Sequence, residues 1–231
     1  MADITVQTYN KLHSISCSHE RFIQQLKAAC ITQEQLFSEL ALFFQENDPS
    51  HDYALCLIHR HYSLNEGEKM VSNGDSIAPS MERTPNIIPE RWFSNGDAME
   101  YTYCKDLASQ IPPPSPEFFA KFHSIVSSYN IDTLGVCYMS YLKGLATDWI
   151  YLECSGTRDR EQVVKIVPQY MAGDAHTYSA IWIPIRNPSG MIAMRTCASC
   201  ASGQPGCKPL ITGKTPGSIT ADGVGLCNCL I

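Results

Sequence analysis

Along the first fifty residues apolar side chains recur every three or four positions, the period of an amphipathic helix. Ser18 is placed to cap a first helix that presents Phe22, Ile23, Leu26 and Ala29 on one side. Thr32 with Gln35 makes a capping-box pattern ahead of a second, whose face carries Leu36, Leu40, Phe43 and Phe44. Asn47-Asp48-Pro49 stops it, because a residue preceding proline is pushed out of the helical region. A further helix near 116–129 follows Pro112-Pro113-Pro114: Ser115 is its cap, Pro116 its first residue, and Phe118, Phe122, Ile125 and Val126 its apolar stripe.

Elsewhere the period is two. The stretch Tyr53 to Leu64 is apolar on both alternating faces in its first half, which predicts a central strand, and Asn65-Glu66-Gly67 turns it into a second strand near Lys69-Met70-Val71. Residues 73–90, rich in Asn, Gly, Ser and Pro, read as a long surface loop. Arg91-Trp92-Phe93 and Met99 to Tyr103 flank Asn95-Gly96, a dipeptide that predicts a hairpin with a type I′ turn. Strand-like runs at 132–139, 148–154, 161–167, 178–186 and 190–197 follow without a helix between them, so antiparallel pairing is expected. No internal repeat is visible in the residues. The reading is an α+β fold with N-terminal helices, a largely antiparallel β-sheet and one further helix: a single globular domain over 1–197 and a Cys/Gly-rich tail over 198–231.

Composition narrows the function. With 44% apolar and 17% charged residues, a chain of 231 residues can bury a core without disulfides or an obligatory metal. A formal net charge of −6, with no clustered Lys and Arg, argues against nucleic acid and against anionic membrane as partners. The acidic start Met1-Ala2-Asp3-Ile4-Thr5 lacks the apolar stretch of a secretory signal, and no window approaches the roughly 18 apolar residues of a membrane span, so a cytoplasmic location is expected. In that compartment Cys17, Cys30, Cys56, Cys104, Cys137 and Cys154, each single within a periodic stretch, read as reduced, buried thiols.

Three groups of residues offer chemistry. Alternation puts His59 and His61 on one face of the strand from Tyr53, continuing the line of Leu55 and Leu57, with Arg60 on the other. Two imidazoles on one face serve as an acid–base pair or as two metal ligands, for which His123, His176, Glu100, Cys104 and Glu153 are candidate third donors. Glu100 and Glu153 lie among aromatic residues, where burial raises a carboxyl's pKa toward neutrality. Trp92, Tyr101, Tyr103, Trp149, Tyr151, Tyr178 and Trp182 fall in predicted strands and make either a ligand cavity or a core. The tail offers Cys197, Cys200, Cys207, Cys227 and Cys229, a spacing that resembles a structural zinc site but is looser than a zinc ribbon. No Walker loop, Gly-x-Gly-x-x-Gly, nucleophile elbow or His-Glu-x-x-His occurs, which removes the usual support for nucleotide binding and common hydrolysis.

The series His59-Arg60-His61-Tyr62-Ser63-Leu64 with Gly67-Glu68-Lys69-Met70-Val71, then Arg91-Trp92-Phe93 ahead of Asn95-Gly96 and Glu100-Tyr101, then Leu134-Gly135-Val136-Cys137, resembles a group of small fungal proteins over roughly residues 50–170. The resemblance implies an intracellular fungal setting such as specialised metabolism. It supplies no ligand or catalytic residue and does not extend to the tail.

Taken together these residues predict an enzyme acting on a small-molecule ligand, of the lyase, isomerase or cyclase kind. His59 and His61 are the acid–base or metal-binding pair, Arg60 or Arg91 an anion anchor, and Glu100 a second carboxyl. The rival expectations are a zinc protein using the tail cysteines and a non-catalytic ligand-binding module.

Overall fold

The computed structural model describes residues 4–48, 50–81, 86–104, 112–138, 145–146, 148–155, 159–172, 177–186, 192–201, 208–209 and 227–228. Its helices are α1 (Val6–Asn10), α2 (Ile15–Ala28), α3 (Gln33–Asn47) and α4 (Pro116–Ser128). The capping box of α3 is complete: the Gln35 N–H donates to the Thr32 hydroxyl and the Thr32 N–H to the Gln35 side chain. Ser115 caps α4 by accepting from the Phe118 N–H. The helix expected from Ser18 starts four residues earlier, with Ser14 as its N-cap, and α1 has too few apolar repeats to be seen in the sequence.

Ten strands close into a barrel: β1 (Tyr53–Leu57), β2 (Glu68–Ser72), β3 (Ser76–Met81), β4 (Ile87–Phe93), β5 (Ala98–Tyr103), β6 (Leu134–Tyr138), β7 (Trp149–Ser155), β8 (Gln162–Pro168), β9 (Thr177–Arg186) and β10 (Ile192–Ala201). Around the ring their order is β1-β6-β4-β5-β2-β3-β8-β7-β10-β9. Among the described residues each of the ten strands has a neighbour on both sides, although some contacts are short, as where only Ser76 and Ile77 of β3 pair with β8. Most neighbours are antiparallel, as expected, but β2 runs parallel to β5 and β7 to β10. A parallel pair needs a long connection, and here two intervening strands provide it in place of a helix.

The ring conceals a duplication. Exchanging β1 to β5 for β6 to β10 leaves the order of neighbours unchanged, with α3 leading the first half and α4 the second. The axis passes through the β1–β6 pair, where Leu55 faces Val136 at the centre of the register. Only Cys56 and Cys137 match when Tyr53–Leu57 is set against Leu134–Tyr138, which is why no repeat showed in the residues.

Several expectations change. The strand from Tyr53 ends at Leu57, and it pairs with β6 and β9 rather than forming a hairpin with β2. The supposed loop over 73–90 contains β3 and the start of β4. The hairpin at Asn95-Gly96 does form, but Gly96 has φ +87° while Asn95 stays out of the left-handed region, so the turn is not type I′. Residues 198–201 belong to β10, so the barrel runs past the boundary drawn at 197.

Helices α2, α3 and α4 cover one side of the barrel. Phe37 meets Trp182 edge-on, Phe118 packs on Tyr53, and Phe119 on Trp92. Leu55 is in register with Trp182, so it too faces the helices. Trp92 and Trp182 are thus core residues outside the barrel wall, not the lining of a ligand cavity. On the opposite face of the wall Ala54, Cys137 and Arg91 stand in one register line that points inward.

Candidate functional site in the barrel interior

A strand alternates its side chains, so a closed barrel sends every second one inward, and here several inward positions are ionisable. Arg91 on β4 and Glu100 on β5 are register partners, and Arg91 Nε lies 3.3 Å from Glu100 Oε2. Two compensating irregularities, at Glu90 on β4 and Met99 on β5, surround this pair and re-aim the side chains there. Glu153 on β7 accepts from Arg91 Nη2 at 2.6 Å. Its register partner on the parallel strand β10 is Cys200.

His59 and His61 come from the segment after β1. The chain leaves the ladder at Leu57, so alternation no longer applies there: Leu55 faces the helices while both imidazoles turn into the barrel, ring centroids 4.6 Å apart. His59 Nδ1 is 2.8 Å from the Leu57 carbonyl oxygen, and His61 Nδ1 is 2.7 Å from Gln162 Oε1. These acceptors hold a proton on each Nδ1 and leave Nε2 facing the cluster. His61 Nε2 lies 3.5 Å from Glu100 Oε1 and 3.9 Å from Glu153 Oε2. From α1, the wholly buried Tyr9 donates its hydroxyl proton to Glu100 Oε1 at 2.8 Å.

The electrostatics follow from burial competing with charge. Burial alone would push the Glu100 carboxyl up, but His61 and Arg91 outweigh it and hold it at about 2. The same balance, with Arg91 and then His61 as opposing cations, keeps Glu153 below its ordinary range. Burial pulls His61 down, yet Glu100 and Glu153 raise it overall. For His59 the two carboxylates are outweighed: burial and then the neighbouring His61 depress it to about 4, so its ring is neutral at physiological pH. Glu90 is pushed by burial up to about 8 and is protonated at neutral pH. Burial and the nearby Glu153 raise the Cys200 thiol well above its normal value.

Of the residues expected to carry chemistry, His59, His61, Arg91 and Glu100 meet here, and Glu153, one of the candidate third donors, joins them. Arg60 does not. Its guanidinium donates to the Asn10 carbonyl and its backbone N–H to that of His13, so it fastens the α1 region to the barrel rather than anchoring a ligand. His123 sits on α4 beside Ser94 and Ser127, while His176 lies outside the described residues. The zinc pattern of the tail comes apart as far as it is described. In an extended strand, residues three apart are separated by about 10 Å, and Cys197 directs its sulfur toward the Ile181 carbonyl whereas Cys200 enters the cluster. Cys207 and Cys229 lie outside the described residues, and Cys227 is described only as backbone in a two-residue ladder, Lys208–Pro209 with Cys227–Asn228. Among the lone cysteines expected to be buried, Cys17 and Cys30 are exposed.

Tyr9, Glu90 and Gln162 escaped the sequence. Tyr9 lies in a five-residue helix with no periodic face, and Gln162 opens a strand as an ordinary polar residue. Glu90 follows a proline in what read as a loop. A cleft of about 290 Å³ opens beside the cluster's sequence neighbours, lined by Lys11, His13 and Arg21 of the α1–α2 region and by Ile58, Phe93 and Thr133 of the barrel end.

No protein-family model matches this chain, and neither do curated proteins or solved structures. Among the described residues no helix is long and apolar enough to cross a membrane.

Proposed function

We propose that the chain is an enzyme that rearranges or cleaves a small molecule by proton transfer inside the barrel, in the manner of a lyase, isomerase or cyclase. One observation carries this reading. Tyr9, His61, Arg91, Glu100 and Glu153 are joined in one buried network, although burying ionised groups costs several kcal/mol each unless every one is paired. Such a network is a poor way to stabilise a barrel, since apolar side chains of the same volume do so at least as well. Its arrangement suits chemistry: the Glu100 carboxylate is kept ionised, so it stands as a proton acceptor steadied by the Tyr9 hydroxyl, and Arg91 holds an anionic group in place. The cleft lined by Lys11, His13, Ile58 and the Arg21–Asp132 ion pair lies outside the cluster, one residue along the chain from His59, so α1 is the element that must yield for a substrate to reach the interior. The resemblance to small fungal proteins makes specialised metabolism the setting in which such a substrate would be sought, and the cytoplasm the location.

The test uses Glu100→Gln, which keeps the shape and the Tyr9 hydrogen bond while removing the carboxylate. A panel of small carboxylates and enolisable ketones is incubated with the parent and the variant, and conversion is followed by mass spectrometry together with ligand-induced shifts in Tm. A compound converted by the parent should be bound but turned over at least about 100-fold more slowly by the variant. Equal conversion by both would remove Glu100 from the chemistry and with it this reading.

A further inference from the structure

Four donor atoms of the kinds that ligate metals converge at one point of the cluster. His59, His61, Glu153 and Cys200 each offer one ligand atom, and these atoms all lie within 4.8 Å of one another. The geometry points to a site for one divalent transition-metal ion, with zinc as the best-suited ion, bound by His59 Nε2, His61 Nε2, a Glu153 carboxylate oxygen and Cys200 Sγ.

Three observations support it independently. The first is orientation: each imidazole has its Nδ1 fixed by an oxygen acceptor, Leu57 C=O for His59 and Gln162 Oε1 for His61, so both Nε2 atoms turn into the cluster. This is how metal-ligating histidines are held by their outer partners. The Nε2 of His59 is without a partner, and that of His61 lies beside Arg91 Nη1 at 3.4 Å and Glu100 Oε1 at 3.5 Å, contacts a metal ion would replace. The second is want of partners. His59 Nε2 and Glu153 Oε2 are both buried and without a hydrogen bond, while the other Glu153 oxygen is taken by Arg91. A buried acceptor left alone is destabilising, and a cation would relieve two of them at once. The third is register: Glu153 and Cys200 are direct partners across the parallel β7–β10 pair, which aims both side chains into the barrel side by side.

The donor set selects the ion. Two imidazoles, one thiolate and one carboxylate oxygen suit zinc, and the single carboxylate among them is too little for calcium or magnesium. Zinc bonds of about 2.0–2.3 Å put tetrahedral donors roughly 3.3–3.8 Å apart, so the four atoms need to close by only about 1 Å. Charge also fits. Arg91 and a protonated His61 balance Glu100 and Glu153 in the absence of an ion, and a metal ion with a thiolate would take over the positive unit that His61 gives up when its Nε2 proton leaves. Four protein donors fill the shell of a tetrahedral zinc, so the ion ties the segment after β1 to β7 and β10. The site does not depend on the catalytic reading and stands whether or not a substrate is turned over.

The experiment starts from the full chain freed of metal by dialysis against a chelator. Titration with Zn(II) should show one equivalent bound with submicromolar affinity, and Co(II) should give tetrahedral d–d bands with a thiolate charge-transfer band in the near ultraviolet. Cys200→Ser should abolish the charge-transfer band, and His59→Gln should weaken zinc binding by at least about tenfold. The combined variant Cys207→Ser, Cys227→Ser, Cys229→Ser should keep the full equivalent. No binding at a zinc concentration roughly a hundredfold above that of the protein overturns the proposal. So does binding that survives Cys200→Ser and disappears with the tail cysteines. Should the barrel variants fail to fold, zinc-edge X-ray absorption of the unaltered chain decides: one sulfur at about 2.3 Å beside imidazole scatterers supports the site, and a shell of three or four sulfurs refutes it. A chain that binds zinc in this way but shows no Glu100-dependent turnover refutes the proposed function alone.

Discussion

Glu90 and Glu153 are both carboxyls inside the wall of one barrel, and they differ in what faces them. Glu153 has Arg91 at hydrogen-bond distance and stays ionised. Glu90 has an oxygen without a hydrogen bond, and burial drives its pKa from 4.5 to about 8. The consequence for stability has a definite sign. The unfolded chain releases this proton from about pH 4.5 upward while the folded chain keeps it until about pH 8, so this group's contribution is full below pH 4.5 and is lost across that window. Glu90→Gln, which cannot ionise, should therefore melt increasingly above the parent as pH rises from 5 to 8. For a domain this size each kcal/mol moves Tm by about 2–4 °C, well within the reach of a melting series. A constant difference between the two melting curves at every pH would show that Glu90 is ionised in the folded protein. Glu68 runs the other way. Its hydrogen bonds with Arg160 hold it at about 2, so the stability it adds is present above its ordinary 4.5 and is lost as pH falls toward 2.

At the scale of elements, the β4–β5 hairpin is where a local rule and tertiary packing meet. Gly96 has φ +87°, a conformation that side chains rarely adopt, and a Cβ placed there would lie 2.9 Å from the ring of Phe119 on α4. Gly96→Val should therefore destabilise by about 1–3 kcal/mol through backbone strain alone, with a further loss from displacing Phe119. The check is a chemical denaturation series in which Asn95→Ala, free of positive φ, is the comparison. An unshifted midpoint for Gly96→Val would contradict the turn. This hairpin, the capping box of α3, the Ser115-Pro116 start of α4 and the five later strands were legible because each is decided by a few neighbouring residues. The barrel was not, since closure depends on pairings such as Leu55 with Trp182 that lie far apart in the sequence. The site was legible in the same measure. His59, His61, Arg91, Glu100 and Glu153 stood out by type, but the inward turn of the imidazoles depends on the chain leaving its ladder after Leu57, which periodicity cannot foresee. Ser76–Met81 was missed as a strand because its Ala, Pro and Ser content reads as loop, and its partners β2 and β8 supply what propensity lacks.

For the molecule as a whole, the duplicated ring decides where the folded unit ends. Each half places its last strand parallel to its second, β5 beside β2 and β10 beside β7, so each seam depends on residues near the end of its half. The β7–β10 seam consists of Ala198 with Tyr151, Ser199 with Leu152 and Cys200 with Glu153. A chain ending at Cys197 would lose every one of these pairs, and the barrel would open with two bare edges at the place where Glu153 faces Arg91. A chain ending at Ala201 keeps the seam and removes only residues whose sequence has no apolar period to drive packing. The four residues between these ends are thus expected to separate two behaviours. The chain ending at Ala201 should unfold in one cooperative transition within a few degrees of the full chain, whereas the chain ending at Cys197 should show no cooperative melt and should associate through its open edges in size-exclusion chromatography. Indistinguishable melts for the two truncations would mean that the parallel seam does not hold the barrel closed. Loss of cooperativity in both would mean that the segment beyond Ala201 takes part in the fold, in which case its Cys207, Cys227 and Cys229 would have to be weighed again as structural ligands.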